Sequence, residues 1–158
     1  MPLLLLLAST ANAGKLQDGW RGHPYGDSAW LDKAPSEGCR PNAEAGVRWL
    51  CDEIVGGQPV VVAYMVAEGF YTGIVLRCKG YVLCKTVLET LGAAWGRPFS
   101  IEEYGQLPER FWRDGTSISG WDYNQFSDVG TATTFDSVIE ERVDSIKAAK
   151  AKSAAGDL

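Results

Sequence analysis

Apolar and polar positions along the chain fall into stretches with different periods, and each period predicts an element. From Pro59 to Ala67 the residues Val60, Val61, Val62, Ala63, Tyr64, Met65 and Val66 run almost unbroken in apolar, β-rich character, as a central buried strand does. Glu68-Gly69 then predicts a hairpin tip, and Phe70 to Arg77 the returning strand. Leu83, Val87, Leu88, Leu91 and Trp95 draw one stripe down a helix, with Gly96 and Pro98 as its stop. A polar connection over residues 99–109 leads to Arg110-Phe111-Trp112-Arg113, an Asp114-Gly115 turn and a strand from Thr116 to Tyr123. Residues 124–130 read as a loop and 131–135 as a further strand. Val138, Ile139, Val143 and Ile146 outline a last helix.

Strands lie mostly beside strands, with helices between the groups. The expected fold is therefore α+β, an antiparallel sheet of four to five strands packed with two or three helices. It forms one domain over residues 14–147, and the tail over 148–158 has too little apolar content to dock and is expected to fray. Residues 14–53 show little clean periodicity and are rich in Gly, Pro and aromatics; Gly22-His23-Pro24-Tyr25-Gly26 is turn chemistry.

The first thirteen residues carry a different message. Five leucines are followed by small residues, with Ala11 and Ala13 at the −3 and −1 positions of a signal-peptide cleavage site. The run is too short to span a membrane, which takes about 20 apolar residues. Residues 1–13 are thus expected to be a signal peptide, and the mature protein to be periplasmic or secreted, with no membrane insertion after cleavage. Four cysteines agree with export, since an even count in an oxidising compartment reads as disulfides. Four cysteines allow three connectivities. Both the Cys39/Cys51 and Cys78/Cys84 intervals hold turn residues, which favours local pairing. Neither interval has the C-x2-C spacing typical of zinc, so disulfides are preferred to a metal site.

Composition narrows the function further. The 158 residues sum to a net charge of −5, which argues against nucleic-acid binding and against adsorption to anionic membranes. No P-loop, dinucleotide-binding or calcium-loop pattern is present, so no cofactor or metal is expected.

The order Gly22-His23-Pro24-Tyr25-Gly26, a Cys39/Cys51 loop, Gly57-Gln58-Pro59-Val60, Trp95-Gly96-Arg97-Pro98 and Phe111-Trp112 resembles a loose group of small exported bacterial proteins. In layout the chain is also distantly similar to the outer-membrane assembly lipoprotein and β-lactamase-inhibitor-protein class. That resemblance implies helices laid against an antiparallel sheet and carries no catalytic residue with it. The chain departs from the lipoproteins in having no lipobox cysteine.

Catalysis has few footholds. His23 is the sole imidazole, and its candidate partners Ser28, Asp27 and Asp32 lie in no nucleophile-elbow pattern. The adjacent pairs Asp52-Glu53, Glu102-Glu103 and Glu140-Glu141 cannot share a face of a helix or strand. Aromatics are the richer signal. Alternation puts Trp121 and Tyr123 on one face of the second hairpin and Ile118 on the other. Trp112, Trp121 and Tyr123 are therefore the expected binding surface, since interfaces are enriched in Trp and Tyr. The leading expectation is a non-enzymatic module that binds another exported protein. A small periplasmic hydrolase using carboxylates or His23, and a structural subunit of a larger assembly, are the alternatives.

Overall fold

The computed structural model describes residues 15–103 and 105–156. The expected signal peptide and the chain's last two residues lie outside them. In chain order the strands and helices are β1 (Gly26–Asp27), β2 (Cys39–Pro41), β3 (Val47–Val55), β4 (Gln58–Ala67), β5 (Phe70–Lys79) and α1 (Tyr81–Trp95). There follow β6 (Ser100–Glu102), β7 (Glu109–Asp114), β8 (Ser117–Asn124), β9 (Val129–Asp136) and α2 (Ser137–Gly156).

All nine strands join one antiparallel sheet in the order β2-β3-β4-β5-β9-β8-β7-β6, with β1 paired to the start of β5. The fold is α+β as the sequence predicts, but the sheet is about twice the expected size. Three of the additional strands, β1, β2 and β6, have only two or three residues, too few to show a period. The fourth, β3, lies in the stretch whose pattern is obscured. Its inward positions Trp49, Cys51, Glu53 and Val55 include a carboxylate where a hydrophobe would mark the face.

The predicted hairpins form. Glu68 and Gly69 adopt φ of 51° and 80° at the β4–β5 tip, the left-handed conformation a tight two-residue turn requires. Gly115 at φ 59° opens the β7–β8 turn. Gly130 is needed for a different reason. A Cβ there would stand 2.6 Å from the Trp121 ring and 2.8 Å from Cys78 Sγ, so only glycine lets those groups close over β9.

One face of the sheet is dry. Val60, Val62, Tyr64, Ile74, Leu76, Trp112, Trp121 and Ala132 bury against Val87, Leu88 and Leu91 of α1 and against Leu16, Trp20 and Leu31 of the N-terminal segment. Residues 15–36 have little regular structure beyond three short 3-10 turns and the two-residue β1, yet they complete this core. On the opposite face Leu50, Val61, Ala63, Met65 and Val75 are half-buried around a shallow hollow of about 110 Å³.

α2 begins on an N-terminal cap from Asp136, whose Oδ1 accepts the N–H groups of Val138 and Ile139 at 3.0 Å. The helix runs through Gly156, where fraying was expected from residue 148. Among the described residues of α2 only Val143 is fully buried, so the tail is helical without docking an apolar face. Lys150 pairs with Glu68 at the β4–β5 tip and gives the C-terminal half one tertiary anchor.

Candidate functional site

The covered face of the sheet encloses one ionised hub. Glu53 points inward from β3, 7% exposed, while its neighbour Asp52 faces the other side. Oε1 of Glu53 accepts the Tyr64 hydroxyl at 2.6 Å; Oε2 accepts Trp20 Nε1 at 3.0 Å and pairs with Arg21 Nε at 2.7 Å. Arg21 also donates to the Ile54 carbonyl at 2.8 Å. A buried carboxylate needs such partners, because desolvation penalises an unpaired charge heavily. Burial, and then the charge of Glu53 and the hydrogen bond to it, raise the Tyr64 hydroxyl far above its ordinary value and keep it a donor.

Beside this hub lies a cleft of about 370 Å³ lined by Arg21, His23, Pro35, Ser36, Asp52 and Tyr64, among others. His23 stacks on Trp30 with centroids 4.1 Å apart and planes 7° apart. Burial holds its imidazole below the ordinary value, against the pull of Glu53. The candidate triad partners are engaged elsewhere. Asp27 accepts the Ala29 N–H, Ser28 donates to the Gly69 carbonyl, and Asp32 pairs with Arg48. Trp30 continues into edge contacts with Tyr64 and Tyr71, and Tyr25 stacks on Tyr71. Burial raises the hydroxyls of both Tyr25 and Tyr71, so both rings remain neutral.

The four cysteines pair as Cys39–Cys51 and Cys78–Cys84. The first bond joins β2 to β3; the second ties the end of β5 to the first turn of α1.

The expected aromatic surface is corrected by this arrangement. Trp121 and Tyr123 do share a face, but it is the covered one: Trp112 and Trp121 are each 1% exposed. Trp112 packs edge-on against Trp95 of α1 and donates its Nε1 to the Gly96 carbonyl at 3.0 Å. Tyr123 is half-buried at the rim, where its hydroxyl donates to Asp128 and is pushed up to about 12 by that bond. The Glu53 hub was not predicted. Its signal was a glutamate within an alternation of apolar residues, Trp49, Cys51 and Val55.

The exposed chemistry lies at the far edge of the sheet. Among the described residues, β6 is bonded on one side only, to β7. Phe99 is 62% and Ile101 50% exposed there. Phe99 leans on Phe111 and under the Arg113 guanidinium. Register puts Glu102 opposite Glu109. One step beyond the Arg110–Trp121 pair, Glu109 comes against Asp122, whose carboxyl is raised by desolvation and by the charge of Glu109. Among the described residues, no group of His, Cys, Asp and Glu has the arrangement to hold a metal ion.

Compared with protein-family models, with curated proteins and with solved structures, the chain matches none.

Proposed function

We propose that this chain is an exported, disulfide-fastened interaction module that binds another exported protein and carries out no chemical step of its own. The observation that carries the reading is the division of labour across the sheet. On the covered side, both oxygens of Glu53 are spent on Tyr64, Trp20 and Arg21, a structural use of a carboxylate that leaves little for acid–base work. At the far edge of the sheet, beyond this cover, Phe99 and Ile101 are exposed. The two disulfides fit an oxidising compartment, and among the described residues no helix is long and apolar enough to cross a membrane.

Native purification of the full-length gene product from the exported fraction tests this. The expected result is a defined complex with a second protein that rebinds the purified chain, and a mass showing two disulfides and cleavage after Ala13. Elution as a lone monomer with a hydrolytic activity that His23→Ala abolishes overturns it.

A further inference from the structure

We infer that a gap between β4 and β5 binds a single-chain anionic amphiphile, a carboxylate on a hydrocarbon tail, with the tail in the gap and the head on Arg77 and Lys79. The site takes a small molecule and is additional to the protein partner proposed above. From their shared tip the two strands pair only as far as Val61 and Arg77. Beyond that point each keeps its outer neighbour. Val60 and Pro59 stay opposite Glu53 and Ile54 of β3, while Cys78 and Lys79 stay opposite Gly130 and Val129 of β9. Two features accompany the parting. Pro59 has no N–H to give to a ladder, and the Cys78–Cys84 bond ties the end of β5 to α1.

The gap is a cavity of about 380 Å³, within the size range of small-molecule sites. Val60 and Val61 line it from β4, Cys78 and Val129 from the other side, and Leu83 from the first turn of α1. Such a lining takes up hydrocarbon in preference to a polar solute. The charged residues choose the head group. Arg77 and Lys79 lie two positions apart on one face of β5, and both are exposed. Among the described residues neither has an ion-pair partner. The carboxylate that lines the cavity, Asp52, is already paired with Arg40 at 3.2 Å. Along the row of Arg77 the next carboxylate, Asp122, stands two strands away beyond Thr131. Two free cations beside an apolar gap attract an anionic head and repel a cationic one, although the chain as a whole carries −5.

The probe is decanoate, kept below the concentration at which it forms micelles, titrated against the full chain by calorimetry and followed by backbone amide shifts. Saturable binding is expected, with shifts concentrated at residues 59–61, 77–79, 83 and 129. Each methylene buried in the gap contributes about fourfold in affinity, so octanoate, two methylenes shorter, should bind about fifteenfold more weakly. Decyltrimethylammonium should fail to bind. Arg77→Gln together with Lys79→Gln, both surface changes, should weaken decanoate on the order of tenfold and leave the melting temperature in place. No saturable binding of decanoate overturns the assignment. So does equal affinity for octanoate, which leaves the tail outside the gap, or for the cationic amphiphile, which removes the role of the two cations. Binding to phosphatidylglycerol vesicles without binding to monomeric decanoate also overturns it, by making a membrane surface the occupant. None of these outcomes bears on the protein partner, which the native purification tests separately.

Discussion

At one edge of the sheet, the Cys39–Cys51 bond fastens β2 to β3, Pro41 has no N–H to offer a further strand, and Arg40 pairs with Asp52 at 3.2 Å. Next to it, Glu53 holds the N-terminal segment down through Trp20 and Arg21. At the other edge, β6 has three residues bonded to β7, among them an exposed isoleucine and one carboxylate, Glu102. Both edges face the same hazard, uncontrolled pairing with other chains, and each is protected differently: the first by a covalent bond, a proline and an ion pair, the second by its shortness and the charge of Glu102. The difference separates what the fold fastens from what it leaves exposed. The first edge is tied into the core by covalent and ionic means, and the second is held by three residues alone.

The sharpest way to break this contrast is to remove the acceptor at the closed side. Glu53→Ala leaves the Trp20 indole, the Tyr64 hydroxyl and the Arg21 guanidinium without their shared carboxylate. Breaking a buried ionic hub from one side should cost about 4 kcal/mol, read as a shift of the urea midpoint. The matching change at the open edge, Glu102→Ala, should stay within about 0.5 kcal/mol. Comparable losses at the two positions would mean that the edges do not differ in the way described.

Next in size is the covalent lock. Replacing both Cys39 and Cys51 by Ser should lower stability by about 3 kcal/mol, chiefly because the unfolded chain regains the freedom of that loop. Thermal or denaturant unfolding of the double variant measures it. A loss below about 1 kcal/mol, the range of exposed ion pairs, would assign the closure of β2 to Pro41 and the Arg40–Asp52 pair instead.

Which of these features the sequence reveals follows from how local their causes are. The β4–β5 and β7–β8 hairpins were legible because Glu68-Gly69 and Gly115 sit in the turns that make them. Both disulfides were legible because each closes a short, turn-rich interval. α1 was legible because one stripe, Val87, Leu88 and Leu91, makes its contact with the sheet. Strand β3 was hidden by the glutamate on its inner face, and two of the three partners that justify that glutamate, Trp20 and Arg21, lie more than thirty residues upstream. Alternation paired Trp121 with Tyr123 correctly. It could not tell which face is covered, because α1 and the aperiodic residues 15–36 supply the cover. The open edge depends on register among β6, β7 and β8, a property of the assembled sheet that no single segment encodes.

The smallest effect tests the charge row at the open edge by itself. Asp122 lies in one cross-strand line with Thr131 and, beyond it, Arg77, and on its other side with Glu109. Desolvation and the charge of Glu109 raise its carboxyl above the ordinary 3.8. The folded state therefore holds this proton more tightly than the unfolded chain does. An acid with a raised folded pKa favours the fold most at low pH, where it is protonated in both states, and that advantage is lost as pH rises through the folded value. Asp122→Asn removes the titrating charge, so the difference between variant and wild type should be smallest below pH 3.8 and grow in the variant's favour toward neutrality. At pH 7 a gain of about 0.5 kcal/mol or less is expected, the scale of one like-charge cross-strand pair. Paired urea titrations at stepped pH measure the difference directly and cancel the other carboxylates. A variant less stable than wild type at pH 7 would reverse the sign. Asp122 would then be answering to Arg77 across Thr131.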